Sequence, residues 1–142
     1  APELRSYPKE TVVAEKFQAM VMLGIGNSRM KDFFDLYTLC NQFEFDGDIV
    51  RRAIQATFGR RKTSIPSSPP LALTAEFSED QQKSTQWNAF LRKSNLSAQN
   101  LTLAEVATRL SDFLMPPAKV ANQQLPLNSK WSPSEGWVPE SN

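Results

Sequence analysis

The chain contains no histidine. That excludes serine–histidine triads, imidazole general bases and His-ligated metal centres. It has a single cysteine, Cys40, set in an apolar helical pattern. One thiol builds neither a disulfide framework nor a zinc cluster. Charge is nearly balanced, with a formal net charge of +1, so no global field draws the molecule onto nucleic acid or membrane. Any anion site must be local. Long apolar runs are also absent. The longest, from Ala19 to Ile25, is too short to cross a bilayer and is interrupted by Gly24. Nothing reads as a signal peptide, so a cytoplasmic protein without membrane contact is expected. The opening "APELRSYPKE" has no initiator Met and runs straight into a patterned segment. That is expected of a processed chain or of a piece of a longer protein.

What is present is helical periodicity. The 142 residues suffice for one domain, or one domain with a tail. Tyr7-Pro8 marks a turn or extended entry. Val12, Val13, Phe17, Met20 and Leu23, with the stem of Lys16, then follow helical spacing. Gly24 and Gly26 end this helix, and Asn27 suits the turn. Ser28 is a good N-cap for a second helix to about Phe43, with an apolar stripe of Met30, Phe33, Phe34, Tyr37, Leu39 and Cys40. The short connection predicts an antiparallel pair. Asp46 can cap a third helix from Asp48 to about Phe58, burying Ile49, Ala53, Ile54 and Phe58.

"GRRKTS" and "IPSSPP" read as a helix end and a linker, and "LALTAEF" as a short extended piece. Ser78 to Gln81 has the S-x-x-Q pattern and Thr102 to Glu105 the T-x-x-E pattern of a capping box. The first should open a helix with Trp87, Phe90 and Leu91. The second should open one with Leu103, Val106, Leu110, Phe113 and Leu114 that stops at Pro116-Pro117. The predicted fold class is all-α, an antiparallel helical bundle with a Pro-rich tail. Its expected divisions are a helical motif region at 1–62, a Pro-rich linker at 63–77, a helical pair at 78–118 and an extended tail at 119–142. Trp131 and Trp137 in that tail should be buried, on the domain or on a partner.

The segment "NSRMKDFFDLYTL" concentrates the charge. Asp32 and Asp35 share a helix face. Lys31 can pair with Asp35, and Arg29 with Asp32. Such pairs are ordinary on an amphipathic helix. They are also what a phosphate-handling site requires: a carboxylate able to take a proton, cations able to hold a polyanion, and a helix N-terminus. Lys16, midway along the first helix, either snorkels to solvent or faces the same cleft. Arg51, Arg52, Arg60, Arg61 and Lys62 form a basic stretch, read either as solvated helix ends or as a contact for an RNA backbone.

Tyr7 to Leu39, "YPKETVVAEKFQAMVMLGIGNSRMKDFFDLYTL", resembles the C-terminal signature of the AbiEii/AbiGii-type nucleotidyltransferase toxins of type IV toxin–antitoxin and phage abortive-infection systems. The similarity lies in "YP-x-ET", "AEK" and "SRMKDFFDL", and extends into "FEFDGD", "AIQATFGRR" and "PLALTAEF". The resemblance implies a bacterial protein with a polymerase-β-like fold. In that fold an α/β lobe with a Gly-Ser turn and paired aspartates binds Mg²⁺ and a nucleoside triphosphate. A helical C-terminal lobe supplies a phosphate-binding lysine and a base. By position the lysine is Lys16 and the base Asp32, with Asp35 as the alternative. Arg29 and Lys31 would support the phosphates or order the helix. This sequence has no Gly-Ser turn followed by D-x-D. Its nearest match, Asp46-Gly47-Asp48, follows the motif helix instead of preceding it. The chain is therefore expected to be the C-terminal part of such a toxin, without metal ligands of its own and inactive alone. Its expected partners are the N-terminal nucleotidyltransferase lobe, an antitoxin and an RNA or protein acceptor. The competing reading is a non-enzymatic helical interaction module whose tail tryptophans bind a partner.

Overall fold

The computed structural model describes residues 8–26 and 28–140. The turns expected at Tyr7 and Asn27 lie outside them. Helix α1, Pro8–Leu23, opens on a proline, which the first turn tolerates. It buries Val13, Ala14, Phe17 and Met20, while Val12 and Leu23 from the expected stripe stay exposed. Gly24, at φ +56°, closes it in a backbone conformation that suits glycine.

Helix α2, Met30–Gln42, starts later than expected. Arg29 takes the cap position, no side chain caps the free amides, and Ser28 contributes only its carbonyl, to the Met30 N–H. Ser28 is thus not the N-cap. Leu36, absent from the expected stripe, is fully buried. Helix α3, Gly47–Arg60, is capped as expected, with the Asp46 carboxylate accepting from the Asp48 and Ile49 amides. Its buried face is rotated to Val50, Ile54, Thr57 and Phe58. Phe58 meets Phe17 of α1 at 5.3 Å between ring centres.

"LALTAEF" is helical, not extended. A 3-10 turn, Leu71–Leu73, leads into one-turn helix α4, Ala75–Ser78. The two turns drive Ala72, Leu73 and Phe77 into the core, where Phe77 stacks on Phe33. Helix α5, Gln81–Lys93, is capped by Asp80, whose carboxylate accepts the Lys83 amide. Asp80 displaces the expected Ser78, which is buried as the last residue of α4.

Helix α6, Leu103–Asn122, carries the expected Thr102–Glu105 capping box in both directions. It does not stop at Pro116-Pro117. Pro117 has no N–H for the Phe113 carbonyl four residues earlier. The Trp137 indole Nε1–H donates to that carbonyl instead, at 3.0 Å. A side chain twenty residues downstream thus replaces the lost helix bond, and the helix continues.

The all-α expectation gives way to a mostly helical fold with a small sheet. Strand β1, Phe45–Asp46, pairs antiparallel with β2, Ser129–Ser132, and β2 pairs with β3, Gly136–Pro139. The expected extended tail is in fact the end of α6 followed by a hairpin. Trp131 faces Phe45 across the first pair and Trp137 across the second. Both indoles dock on the chain itself. Trp131 is buried, and its Nε1–H donates to the Cys40 carbonyl at 2.7 Å. One apolar cluster runs from Val13 to Trp131 and draws residues from each of helices α1 to α6. No helix among the described residues is long and apolar enough to cross a membrane.

Candidate functional site

The middle of α1 lies against the first turns of α2. Lys16 Nζ reaches Asp32 Oδ1 at 2.9 Å and Asp35 Oδ2 at 3.1 Å. Helical spacing supplies the rest. Arg29 Nε meets Asp32 Oδ2 at 2.7 Å across three residues, and Lys31 Nζ meets Asp35 Oδ2 at 2.7 Å across four. All five candidate residues therefore come together in one network. The α1 lysine is its centre, with two carboxylates around it and two further cations outside.

The network is graded in exposure. The Asp32 side chain is 11% exposed, Lys16 22%, Asp35 26% and Lys31 76%. Partial desolvation opposes the charge on Lys16, but the hydrogen bonds it donates to Asp32 and Asp35 outweigh it and hold the ammonium above its usual range. Burial likewise pushes the Asp35 carboxyl up. The Lys31 and Lys16 ammonium groups overcome that and hold it below the ordinary carboxylate range. Both groups are therefore charged at neutral pH.

Asp32 also faces a second element. Together with Arg29 and Lys31 it lines an open groove of about 580 Å³ whose other wall is α5, through Gln86, Phe90 and Lys93. Sequence reasoning missed this wall. Residues 86, 90 and 93 have the spacing of one helix face, a signal that was present. Phe90 reads as core, and it does touch Trp87 and Phe34, yet it is only partly buried. The groove thus combines cations, an amide, an aromatic ring and one carboxylate.

The acidic residues nearest the network and the "DGD" triplet are engaged locally. Glu15, next to Lys16, pairs with Arg60 and Arg61 and ties α1 to the end of α3. Asp46 and Asp48 of the "DGD" triplet serve the start of α3. Asp46 caps it, and Asp48 holds Arg51 and Arg52 and accepts the Leu127 amide. No cluster of three or more His, Cys, Asp or Glu among the described residues could hold a metal. Asp32 and Asp35 each carry two cations already. The donor set does not fit Mg²⁺.

Residues 1–112 match the family described as "Nucleotidyl transferase AbiEii toxin, Type IV TA system". No curated protein and no solved structure matches the chain.

Proposed function

The chain belongs to the AbiEii nucleotidyl transferase toxin family of type IV toxin–antitoxin systems, and we propose that its Lys16–Asp32–Asp35 network is the phosphate-binding and proton-accepting part of a nucleotidyl-transfer site. One observation carries the reading. An ammonium from α1 and a carboxylate from α2, brought from sixteen residues apart, meet at 2.9 Å beside an open groove lined with cations.

In nucleotidyl transfer an acceptor oxygen attacks the α-phosphorus of a nucleoside triphosphate and pyrophosphate leaves. The enzyme works chiefly by positioning and by neutralising charge. Lys16, backed by Arg29 and Lys31, offers positive charge to the polyphosphate. As phosphate engages Lys16, the Asp32 Oδ1 is released and can take the acceptor's proton. The α2–α5 groove is the approach for that acceptor. Cationic Lys31 and Lys93 beside the Phe90 ring suit the end of an RNA strand better than an uncharged hydroxyl. Because these residues do not fit a metal, no step here passes through one. Metal binding falls to a Gly-Ser and D-x-D lobe outside this sequence, and transfer by this chain alone is not expected. A cytoplasmic site of action, phage defence and neutralisation by an antitoxin follow from the same family reading.

The alternative, a non-enzymatic interaction module, draws on the mutual pairing of Lys16, Asp32 and Asp35. It also needs tail tryptophans available to a partner, and both indoles are engaged with the chain's own core. Lys16→Ala in the toxin that carries this segment is expected to abolish growth arrest while the circular dichroism spectrum stays helical. Undiminished growth arrest by that variant would contradict the assignment.

A further inference from the structure

Two ammonium groups converge on a single oxygen of Asp35. Lys31 Nζ lies 2.7 Å and Lys16 Nζ 3.1 Å from the same Oδ2. Asp32 is bound differently. Its Oδ1 takes Lys16 and its Oδ2 takes Arg29, one cation to each oxygen. Asp32 also lines the groove, whereas Asp35 does not. The two aspartates, three residues apart on one helix face, therefore sit in different chemical settings. One oxygen held between lysines of neighbouring helices matches the way a non-bridging phosphate oxygen is held by point-charge donors.

We propose that Asp35 is an internal competitor for the phosphate seat: its Oδ2 holds Lys16 and Lys31 together until a polyphosphate oxygen replaces it, and it takes no part in proton transfer. This rests on the reading of Lys16 as a phosphate ligand, and goes beyond it by separating the roles of the two aspartates. The carboxylate has two consequences. It keeps the two lysines convergent and pre-positioned, and it sets the affinity, because an incoming anion must displace it. Only noncovalent exchange is involved. The carboxylate gives up two ammonium partners and the polyphosphate gains them.

The test is calorimetric titration of inorganic tripolyphosphate into the full chain at neutral pH and low salt. D35N keeps the shape of Asp35 and removes its charge. It should bind about fivefold to tenfold more tightly than the parent, the worth of two partly exposed ion pairs. K16M should lose binding in both the parent and the D35N background. If D35N is folded and binds no more tightly, the proposal is overturned while the phosphate role of Lys16 stands. If K16M binds as well as the parent, or the parent shows no binding, both readings fail.

A measurement on the unaltered chain guards against misfolding of the variant. In carboxylate ¹³C NMR, saturating tripolyphosphate should raise the Asp35 pKa from its depressed position towards the ordinary range, because its lysine partners leave and negative charge arrives. Binding that leaves the Asp35 titration unchanged overturns the proposal.

Discussion

At the scale of single residues, the network around Lys16 makes stability depend on pH in a defined direction. The folded-state pKa values of Asp35 and Asp48 lie below the ordinary value of 3.8. Burial opposes this in both, and the cations beside them, with the Leu127 amide for Asp48, outweigh it. A carboxyl depressed by folding stabilises above its unfolded pKa, and that contribution is lost as pH falls through the folded value. Lys16 is the mirror case. Raised above 10.5, it stabilises below the unfolded value and the contribution is lost at more alkaline pH. Urea midpoints should therefore be nearly flat from about pH 5 to pH 9 and fall on either side. In D35N/D48N the acid-side fall should be shallower; an unchanged acid limb would show that these carboxylates do not carry it. The meeting of Lys16 with Asp32 was legible in the sequence, because helical spacing and a short connection bring the two together. The convergence of two lysines on one Asp35 oxygen was not, since it depends on rotamers that spacing does not specify.

At the scale of elements, α6 separates local signals from tertiary ones. The Thr102–Glu105 capping box was legible because each partner is held by residues three apart. The stop at Pro116-Pro117 was misread because the donor that serves the Phe113 carbonyl belongs to the hairpin. "LALTAEF" and Ser78 were misread for related reasons. Core contact of Leu73 and Phe77 overrode extended propensity, and Asp80 was a stronger cap inside the same window. Trp137→Phe keeps the ring stacked on Phe113 but removes the N–H donor. It should cost about 1–3 kcal/mol by leaving the carbonyl unserved, read as a lower urea midpoint. A loss smaller than about 0.5 kcal/mol, the usual range for surface substitutions, would mean that the helix passes the prolines without that bond.

For the whole molecule, a mostly helical chain was legible, and the sheet was not. β1 has two residues and β2 and β3 four each, too few for strand periodicity to register against helical neighbours. Their pairing closes the fold. Trp131 sits fully buried between Phe113 and the Cys40 carbonyl, so the last part of the chain completes the core. Truncation after Val120 removes both tryptophans. It should destabilise the entire chain by more than about 3 kcal/mol, since loss of one buried aromatic alone costs that much. Cys40 reports on this. Burial, opposed by Arg109, leaves its thiol pushed up to about 11, so the intact chain should resist thiol reagents and the truncated one should react. Equal, slow labelling of both would show that the hairpin is dispensable.

The central claim is that the Lys16–Asp32 pair belongs to a nucleotidyl-transfer site. It is tested most directly by following transfer of label from an α-labelled nucleoside triphosphate by this chain joined to the proposed metal-binding lobe, parent against Asp32→Asn. Loss of the proton acceptor should lower kcat by about 10²–10⁴-fold, with nucleotide binding and helical content retained. Transfer by Asp32→Asn at the parental rate would contradict it.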